Sequence, residues 1–235
     1  MKTFIDGDIV AYRAAASCQP TKTKDYLEPL EAALGRCEDL IQRIIYATGC
    51  TEYHVFIGGN DNFRYTINPE YKANRRDVAR PTWLQPVREY LVTNHKTTIT
   101  DGIEADDALG IAQDKKGLST TIASIDKDLL MIAGKHYNFV KDEHQIIEPV
   151  NGLRWFYQQL IMGDRADNIY GYDGKCRDKV PQFLEPTIAQ LHSYDNEIDM
   201  YSLVSDMYGD DERLHMNAHC LYIHQKENDE WQRPK

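Results

Sequence analysis

Short apolar segments alternate with amphipathic ones over about the first 160 residues, and this alternation constrains the fold more than any other feature. Three of these segments are short and rich in β-branched or aromatic side chains, which predicts strands: Thr3-Phe4-Ile5, Tyr53–Ile57 and Thr120–Ile125. Residues 30–45 carry apolar side chains at helical spacing, and Gly49 marks a helix end. Strands that alternate with helices predict an α/β fold, in which a mainly parallel sheet is covered on both faces to give three layers.

The remaining segments continue the pattern. We expect a helix at 83–91, a strand at Thr97–Ile99, helices at Glu104–Ala112, 127–133 and 153–162, and edge strands at 137–140 and 145–148. Residues 60–80 have no clean period and are basic and aromatic, which indicates a surface loop or a mobile helix. Beyond residue 190, the spacing of Leu203, Met207 and Leu221 predicts helices that pack back on the domain.

Composition argues against several classes of protein. No segment approaches 18 consecutive apolar residues, so we expect no membrane contact, and the first residues lack the apolar run of a signal peptide. The five cysteines are widely spaced and form no CxxC pair, which argues against a disulfide framework or a zinc site. We expect a monomer in a reducing cytoplasm.

Charge is unevenly distributed along the chain. The formal net charge of −10 argues by itself against a nucleic-acid partner. Residues 195–230, however, hold ten acidic and two basic side chains, whereas residues 61–96 hold seven basic and four acidic ones. Because a basic segment lies within an acidic protein, the net charge does not exclude DNA.

Acidic groups lie where a parallel sheet collects its ligands, outside the carboxyl ends of its strands. One follows the first strand, one opens the helix after Thr97–Ile99, one follows Thr120–Ile125, and one follows the 153–162 helix. Their members are Asp6 and Asp8; Glu104, Asp106 and Asp107; Asp126 and Asp128; and Asp164 and Asp167. Hard oxygen ligands without His or Cys select Mg²⁺ or Mn²⁺, and two such ions about 3.5–4 Å apart commonly hydrolyse phosphodiesters.

Each acidic group also has a purely structural interpretation. Acidic side chains in a first helical turn stabilise the helix dipole, which would explain the group at 104–107. Asp-Gly is a common turn, and Asp126 could cap the helix that follows it. Four such groups at successive element ends favour a metal site over four independent coincidences.

The segment at residues 62–76, NFRYTINPEYKANRR, combines cations with aromatic side chains. If residues 71–76 are helical, Lys72, Arg75 and Arg76 project from one face. Such a face suits phosphates, and a neighbouring aromatic ring suits a stacked base. The alternative is a solvated basic face without a ligand.

Five motifs resemble, in family order, the 5′ nuclease superfamily of flap endonucleases, the 5′-nuclease domain of bacterial DNA polymerase I and small bacteriophage 5′–3′ exonucleases. They are DGD near the start, YKANR, EADD, DKDL and GDRADNI, and they span about residues 1–190. The resemblance implies a PIN-like nuclease domain at 1–163 with a helical arch region at 60–95, a helix–three-turn–helix element at 164–190 that grips duplex DNA, and an acidic helical extension at 191–235.

The resemblance also implies an activity and its metal ligands. The chain would be a divalent-metal-dependent 5′–3′ exonuclease or 5′-flap endonuclease acting in bacteriophage DNA replication or degradation, and its cytoplasm would be that of the host if a bacteriophage encodes it. Its cofactors would be two or more Mg²⁺ ions, with Mn²⁺ as a substitute. Asp6, Glu104, Asp106 and Asp126 would bind the catalytic ion with Asp107 as a further carboxylate, and Asp128, Asp164 and Asp167 would bind the second ion.

The same resemblance implies contacts with the substrate, which would be DNA with 5′ ends or 5′ flaps, RNA-primed DNA being left open. Lys72 and Arg75 would contact the scissile phosphate, and Tyr71 would stack on a base. The full set of predicted substrate-binding residues is Arg13, Arg64, Tyr71, Arg76, Lys175, Arg177 and Lys179.

Two positions depart from the family pattern. The family usually has an aspartate directly after the second strand, where this chain has Gly58-Gly59-Asn60, so Asp8 or Asp61 would substitute. We favour Asp8. If Asp6 and Asp8 lie on one strand, two residues apart, their side chains share a face of that strand. Cys176 stands at the third glycine of the three-turn element. Whether that element binds a monovalent cation is therefore left open.

Three other functions stay open from the sequence. A phosphatase of the haloacid dehalogenase type would use DGD as nucleophile and acid–base pair, but it leaves EADD, DKDL and YKANR unexplained. A PIN-type ribonuclease shares the acidic sheet edge but lacks the arch and the three-turn element. A non-catalytic DNA-junction binding protein would account for the missing aspartate.

Overall fold

The computed structural model describes residues 1–113 and 118–235. The strands are β1 Lys2–Asp6, β2 Glu52–Ile57, β3 Thr97–Ile99, β4 Thr120–Ala123, β5 Gly134–Asn138 and β6 Glu143–Ile147. The helices are α1 Gly7–Ser17, α2 Leu30–Thr48, α3 Arg64–Ile67, α4 Leu84–Asn94, α5 Ala105–Ala112, α6 Pro149–Met162, α7 Glu185–Ser193, α8 Glu197–Tyr208 and α9 Asp211–Leu221. Short 3₁₀ turns occupy Ala73–Arg75, Asp128–Met131 and Gln182–Leu184.

The strands form one sheet in the order β3-β2-β1-β4-β5-β6. β1 pairs in parallel with β2 on one side and with β4 on the other, and the pairs β2–β3 and β4–β5 are also parallel. The predicted α/β fold with a mainly parallel sheet is therefore confirmed. From β1, the chain adds β2 and β3 on one side of the sheet and then β4, β5 and β6 on the other side. The position between β1 and β4 is therefore a topological switch point, where a ligand crevice opens outside the carboxyl ends of the strands.

The described residues group into two compact units. The sheet unit comprises residues 1–61, 79–127 and 134–146, and the helical unit comprises residues 62–78, 128–133 and 147–235. The basic segment at 62–78 therefore groups with the C-terminal helices. The domain boundaries predicted at residues 163 and 190 stay predictions.

The core of the sheet unit lies between the sheet and helices α1, α2 and α4. Ile5 and Val55 from the sheet, Ile41 from α2 and Leu91 from α4 are all fully buried in it. Each such side chain contributes about 1.5–3 kcal/mol by leaving water. α2 stops at Gly49, whose φ of 57° lies in the left-handed region that glycine adopts without strain, as the sequence predicted.

The helical unit is built around α6. The Tyr208 hydroxyl of α8 donates to the Leu160 carbonyl of α6 at 2.7 Å, and the buried ring of Trp231 packs near Phe156 of α6. The predicted helices of the C-terminal extension are present. The buried face of α8 is formed by Met200, Tyr201, Val204 and Tyr208, whereas the predicted Leu203 and Met207 are only half-buried.

The local structure differs from what the sequence suggested at three places. α1 begins at Gly7, because the Asp6 carboxylate caps it by accepting from the Ile9 amide, so Asp8 lies in a helix and not on a strand. Residues 71–76 form no α-helix, because Lys72 has a left-handed backbone with φ 54° and only the 3₁₀ turn Ala73–Arg75 follows. The helix predicted at 127–133 is the 3₁₀ turn Asp128–Met131.

Within residues 1–113 and 118–235, no helix combines the length and apolarity that crossing a membrane requires.

Candidate active site

Asp6 is fixed at the switch point of the sheet. It ends β1, and its Oδ2 accepts from the Ser124 hydroxyl at 2.6 Å, while its Oδ1 accepts from the Ile9 amide at 3.0 Å. Ser124 directly follows β4, so this contact links the two strands that flank the switch point. The side chain is only 2% exposed. A buried carboxylate therefore lies where this topology places its ligands.

Other carboxylates of the sheet unit repel Asp6. Burial raises the pKa of the Asp6 carboxyl to about 7, the bonds from Ser124 and Ile9 oppose this rise, and the charges of Asp8 and Asp126 add to it. Burial also raises the pKa of Asp8, where Arg88 opposes the rise and the charge of Glu104 adds to it. We call Asp6, Asp8, Glu104 and Asp126 the switch-point carboxylates. A cation bound among them would relieve their repulsion.

The first turn of α5 is a capping box. The Asp107 carboxylate accepts from the Glu104 amide at 3.0 Å, and the Glu104 side chain accepts from the Asp107 amide. Asp107 is fully buried, whereas Asp106 is half-buried. The bonds of Asp107 are therefore those of a helix cap, as the structural interpretation of this acidic group expects. The predicted role of Asp107 at a metal site stays a prediction.

We expect Asp107→Ala to lower the free energy of unfolding by about 1–2 kcal/mol, because it removes the capping-box bond that Asp107 accepts from the Glu104 amide. Asp101→Ala, which changes an exposed carboxylate just ahead of α5, should change it by no more than about 0.5 kcal/mol. Urea unfolding followed by circular dichroism measures both. Equal losses in the two variants would contradict the capping assignment.

Asp8 is held by α4 and by the end of β2. Its Oδ2 accepts from the Gly58 amide at 2.7 Å, and its Oδ1 pairs with Arg88, which also donates to the Gly58 carbonyl. The strand-face argument for Asp8 fails, because Asp8 lies in α1. A Cβ at Gly58 would nevertheless lie 3.0 Å from Asp8 Oδ2. The Asp8 carboxylate therefore fills the space beside the position where the family usually carries its aspartate, whereas Asp61 is exposed.

The carboxylates of the helical unit are also held by neighbours. Asp128 Oδ1 accepts from the side-chain Nε2 of Gln159 on α6 at 2.5 Å. Asp164 is 2% exposed, and its Oδ1 accepts from the backbone amides of Ala166 and Asp167 at 2.6 and 3.1 Å, which shapes the turn after α6. Gly171 is required beside this turn, because a Cβ there would lie 2.3 Å from the Ile161 carbonyl oxygen.

Asp167 contacts three residues of the basic segment at 62–78. Its Oδ2 accepts from the Tyr71 hydroxyl at 2.7 Å, and its Oδ1 accepts from Arg75 Nη2 at 2.9 Å. Lys72 Nζ lies 3.7 Å from the same Oδ1. The two predicted catalytic cations, Lys72 and Arg75, are thus brought together by a carboxylate that the resemblance assigned to metal binding.

Two predicted substrate contacts do not agree with the structure. Tyr71 is 1% exposed, so its ring offers no face on which a base could stack. Arg64 is also 1% exposed, and its guanidinium donates to the carbonyls of Cys220 and Tyr222 at 2.8 and 2.7 Å, which anchors the basic segment at the end of α9. Both residues have structural roles here.

The other predicted substrate contacts stay predictions. Arg13 on α1, Arg76, Lys175 and Lys179 are exposed. Arg76 also donates to the Pro69 carbonyl at 2.5 Å. Arg177 is bound to Asp173, with Nη1 donating to Oδ1 at 2.8 Å, so a phosphate would have to compete with that carboxylate.

In the part of the chain that the structure describes, no three His, Cys, Asp or Glu side chains are arranged to hold a metal ion. Many of the candidate carboxylates instead accept from protein donors, as Asp6 does from Ser124 and Asp128 from Gln159. The donor set still fits a hard divalent cation, because it consists of carboxylates without a thiolate or an imidazole. Burial, with the charges of Asp8 and Asp126, raises the pKa of Asp6, and a cation bound nearby would lower it.

Two residues of the site, Ser124 and Arg88, are not among those predicted from the sequence. Ser124 bonds to Asp6, and its hydroxyl also accepts from the Asp126 amide at 3.0 Å. A hydroxyl near the end of the strand predicted at Thr120–Ile125, two residues before Asp126, was the available signal. Arg88 lies 80 residues from its partner Asp8, and no local pattern indicates that pairing.

Comparison with known proteins identifies the family. The model of the family described as "5'-3' exonuclease, N-terminal resolvase-like domain" matches residues 2–157. A 5'-3' exonuclease of Buchnera aphidicola is 27% identical over 213 residues, covering 83% of this chain and 73% of that protein. The thermostable DNA polymerase I of Thermus filiformis is 25% identical over 185 residues, which cover 73% of this chain but only 22% of the polymerase.

Solved structures share the fold. The 5'-exonuclease of bacteriophage T5 with bound zinc superposes with a TM-score of 0.69 at 18% identity, covering 94% of this chain and 89% of that one. The T5 flap endonuclease in a complex with DNA and metal ions gives a TM-score of 0.66 at 16% identity, with the same coverage. Because the family model matches more than half of its length, the chain belongs to the 5′–3′ exonuclease family, within the 5′ nuclease superfamily that its motifs predicted, and is a nuclease.

Proposed function

We propose that the chain is a divalent-metal-dependent 5′–3′ exonuclease and 5′-flap endonuclease that hydrolyses the phosphodiester bonds of DNA. The observation that carries this proposal is the buried Asp6 at the β1–β4 switch point, within charge range of Asp126, in a chain of the 5′–3′ exonuclease family. The T5 flap endonuclease complex, which contains DNA and metal ions, supports the choice of substrate and cofactor.

Carboxylates of each unit would hold the metal ions. In the sheet unit, these are the switch-point carboxylates together with Asp106 and Asp107, and in the helical unit they are Asp128, Asp164 and Asp167. Bound divalent cations supply a water of lowered pKa and neutralise negative charge on the phosphate. We propose Mg²⁺, with Mn²⁺ as a substitute, because all these ligands are hard oxygen donors.

Lys72 and Arg75 would act on the reacting phosphate. Both cations would donate to its non-bridging oxygens, on which charge is spread in the transition state. Exposed cations such as Arg13, Arg76, Lys175 and Lys179 would contact backbone phosphates, which position the DNA without reading its sequence. A role in bacteriophage DNA replication or degradation draws its support from the T5 fold alone, since the curated relatives are bacterial.

We expect the affinity of the metal-free protein for Ca²⁺ to fall about tenfold between pH 8 and pH 6. A divalent cation binds the ionised carboxylate, and a carboxyl with a pKa of about 7 is mostly ionised at pH 8 but only about one-tenth ionised at pH 6. Isothermal titration calorimetry at the two pH values measures this change. An affinity that did not change with pH would contradict the place of Asp6 among the ligands.

A panel of three substrates tests the proposed function against its alternatives. In Mg²⁺, we expect cleavage of a 5′-flap DNA near the junction or stepwise from its 5′ end, and negligible phosphate release from p-nitrophenyl phosphate. Phosphate release without DNA cleavage would indicate a phosphatase, and cleavage of the matching RNA alone would indicate a PIN-type ribonuclease. Binding of the flap without any cleavage would indicate a junction-binding protein.

A further inference from the structure

Arg64 attaches the start of the basic segment at 62–78 to the end of α9. Its Nε donates to the Cys220 carbonyl at 2.8 Å, and its Nη2 donates to the Tyr222 carbonyl at 2.7 Å. Carbonyls at the end of a helix lack donors within that helix, so the guanidinium supplies the bonds that α9 cannot. Arg64 is only 1% exposed, and a buried polar contact of this kind is costly to break.

The first two turns of α9 are attached to the loop at 170–179. Asn217 is 2% exposed, and its Nδ2 donates to the Tyr170 carbonyl at 2.8 Å. Arg213, one turn earlier on α9, donates to the Tyr172 carbonyl. The same helix therefore holds the basic segment at one end and this loop along its first two turns.

The 170–179 loop carries cations that are predicted to contact duplex DNA. Lys175 and Lys179 are exposed on it. The backbone of the loop is closed on itself, because the Gly171 amide donates to the Lys175 carbonyl at 3.0 Å and the Gly174 amide donates to the Gly171 carbonyl at 3.0 Å. A displacement of Tyr170 would therefore be passed on to Lys175.

α9 is a rigid connection between these two attachments. An α-helix rises 1.5 Å per residue, so Arg213 and Cys220 are separated by about 10 Å along its axis. All four bonds run from side-chain donors to backbone carbonyls, and none involves a predicted metal ligand. The connection therefore does not depend on which metal sites are filled.

A second attachment holds the other end of the basic segment. Asn74 Nδ2 donates to the Arg165 carbonyl of the turn after α6 at 2.6 Å. One attachment alone would leave the segment free to pivot about it, whereas two attachments ten residues apart, at Arg64 and Asn74, fix its orientation as well as its position. Lys72 lies between them.

We propose that α9 holds the basic segment at a fixed distance from the 170–179 loop, that Arg64 and Asn217 are its positioning residues, and that this distance determines which phosphodiester is cleaved. The inference rests on the proposed function, in which the loop contacts the duplex and Lys72 contacts the reacting phosphate. A displacement of about 1 Å costs on the order of 10²-fold in rate. A fixed distance therefore concentrates cleavage on one phosphodiester.

The test compares Arg64→Met and Asn217→Leu, which remove the donors and keep most of the side-chain volume. We expect each variant to lower the ratio of the main cleavage product to its neighbours about tenfold, and the maximal single-turnover rate about 10–100-fold. The affinity for flap DNA in Ca²⁺ should stay within about threefold of wild type, because the phosphate contacts are retained. Nucleotide-resolution mapping of the products of a labelled 5′ flap and fluorescence anisotropy measure these quantities.

Tyr157→Phe is the matched control. It removes the bond from the hydroxyl of a buried tyrosine to Glu197 at 3.0 Å, which joins α6 to α8 and touches neither attachment of α9. Its cleavage pattern should be that of wild type even where its melting temperature falls as far as that of Asn217→Leu. An altered pattern in this control, or a wild-type pattern in Asn217→Leu, would overturn the proposal. The second outcome keeps the test decisive if Arg64→Met folds poorly.

The double variant tests whether the two residues act through one connection. Once α9 has lost either attachment, loss of the other should add little, so the double variant should cleave within about threefold of the slower single variant. Losses that multiply would show independent roles for Arg64 and Asn217 and would overturn the proposal.

Hydrogen exchange of the DNA-free protein separates this inference from the proposed function. In Asn217→Leu, the amides of residues 64–71 should exchange at least about tenfold faster than in wild type, although the substitution lies on α9. Unchanged exchange there would overturn the connection through α9. A wild-type protein that cleaves no flap would instead overturn the proposed function, and the exchange measurement would still decide whether α9 holds the basic segment in place.

Discussion

Asp6→Asn is expected to lower the single-turnover rate of Mg²⁺-dependent flap cleavage by about 10³-fold or more, the upper end of what one electrostatic group contributes. Asparagine is as good a helix cap as aspartate, so the bond to the Ile9 amide that starts α1 is retained. The substitution therefore removes the charge at the switch point and leaves the local backbone in place. Rapid-quench cleavage of a labelled flap measures the effect.

The same variant should be more stable than wild type in EDTA at pH 8. The folded state raises the pKa of Asp6 from 3.8 to about 7, so it holds this proton up to about neutral pH while the unfolded chain releases it near pH 4. The unfolding free energy of the metal-free protein therefore falls as pH rises through this window, and asparagine removes that loss. Asp210→Asn is the matched control, because Asp210 caps α9 in the same way through the Arg213 amide. Loss of activity accompanied by loss of stability would indicate a structural role for Asp6.

Lys72→Ala is expected to lower the single-turnover rate about 10²-fold while changing duplex affinity little. One charge that stabilises the transition state is lost, whereas binding loses one phosphate contact among many. Lys141→Ala removes an exposed cation outside the basic segment and should have no effect on the rate. Fluorescence anisotropy in Ca²⁺ gives the affinity. An unaltered rate in Lys72→Ala would remove this lysine from the mechanism.

The sheet could be predicted because its signals are local. β1, β2 and β4 are short segments with β-branched or aromatic side chains, and α2 ends at Gly49, the glycine that its pattern marks. The edge strand predicted at 137–140 is instead β5, which spans Gly134–Asn138 and lies between β4 and β6. The start of α1 was missed because Asp6 both ends a strand and caps a helix, and the two roles overlap in one residue. The basic segment was misjudged because tertiary bonds to the turn after α6 replace helical ones.

The candidate site was predictable in kind but not in detail. Residue type and position relative to strand ends identified the switch-point carboxylates, because topology brings strand ends together. Which donor each side chain meets depends on residues far along the chain, as for Asp8 with Arg88 and Tyr71 with Asp167, 96 residues apart. Arg64 is an example of what the sequence could not show. Its position in a basic segment suggested a substrate contact, but its side chain is buried and donates to the carbonyls at the end of α9.

The most direct test of the account is a magnesium titration of single-turnover cleavage, using protein stripped of metal with EDTA and a 5′-flap DNA labelled on the flap strand. Without metal, no divalent cation would lower the pKa of a water or neutralise charge on the phosphate, so no cleavage is expected. Added Mg²⁺ should restore cleavage saturably in wild type and leave Asp6→Asn inactive. Cleavage that proceeds equally well in EDTA, or that never appears at any Mg²⁺ concentration, would contradict the claim that this chain is a metal-dependent 5′ nuclease.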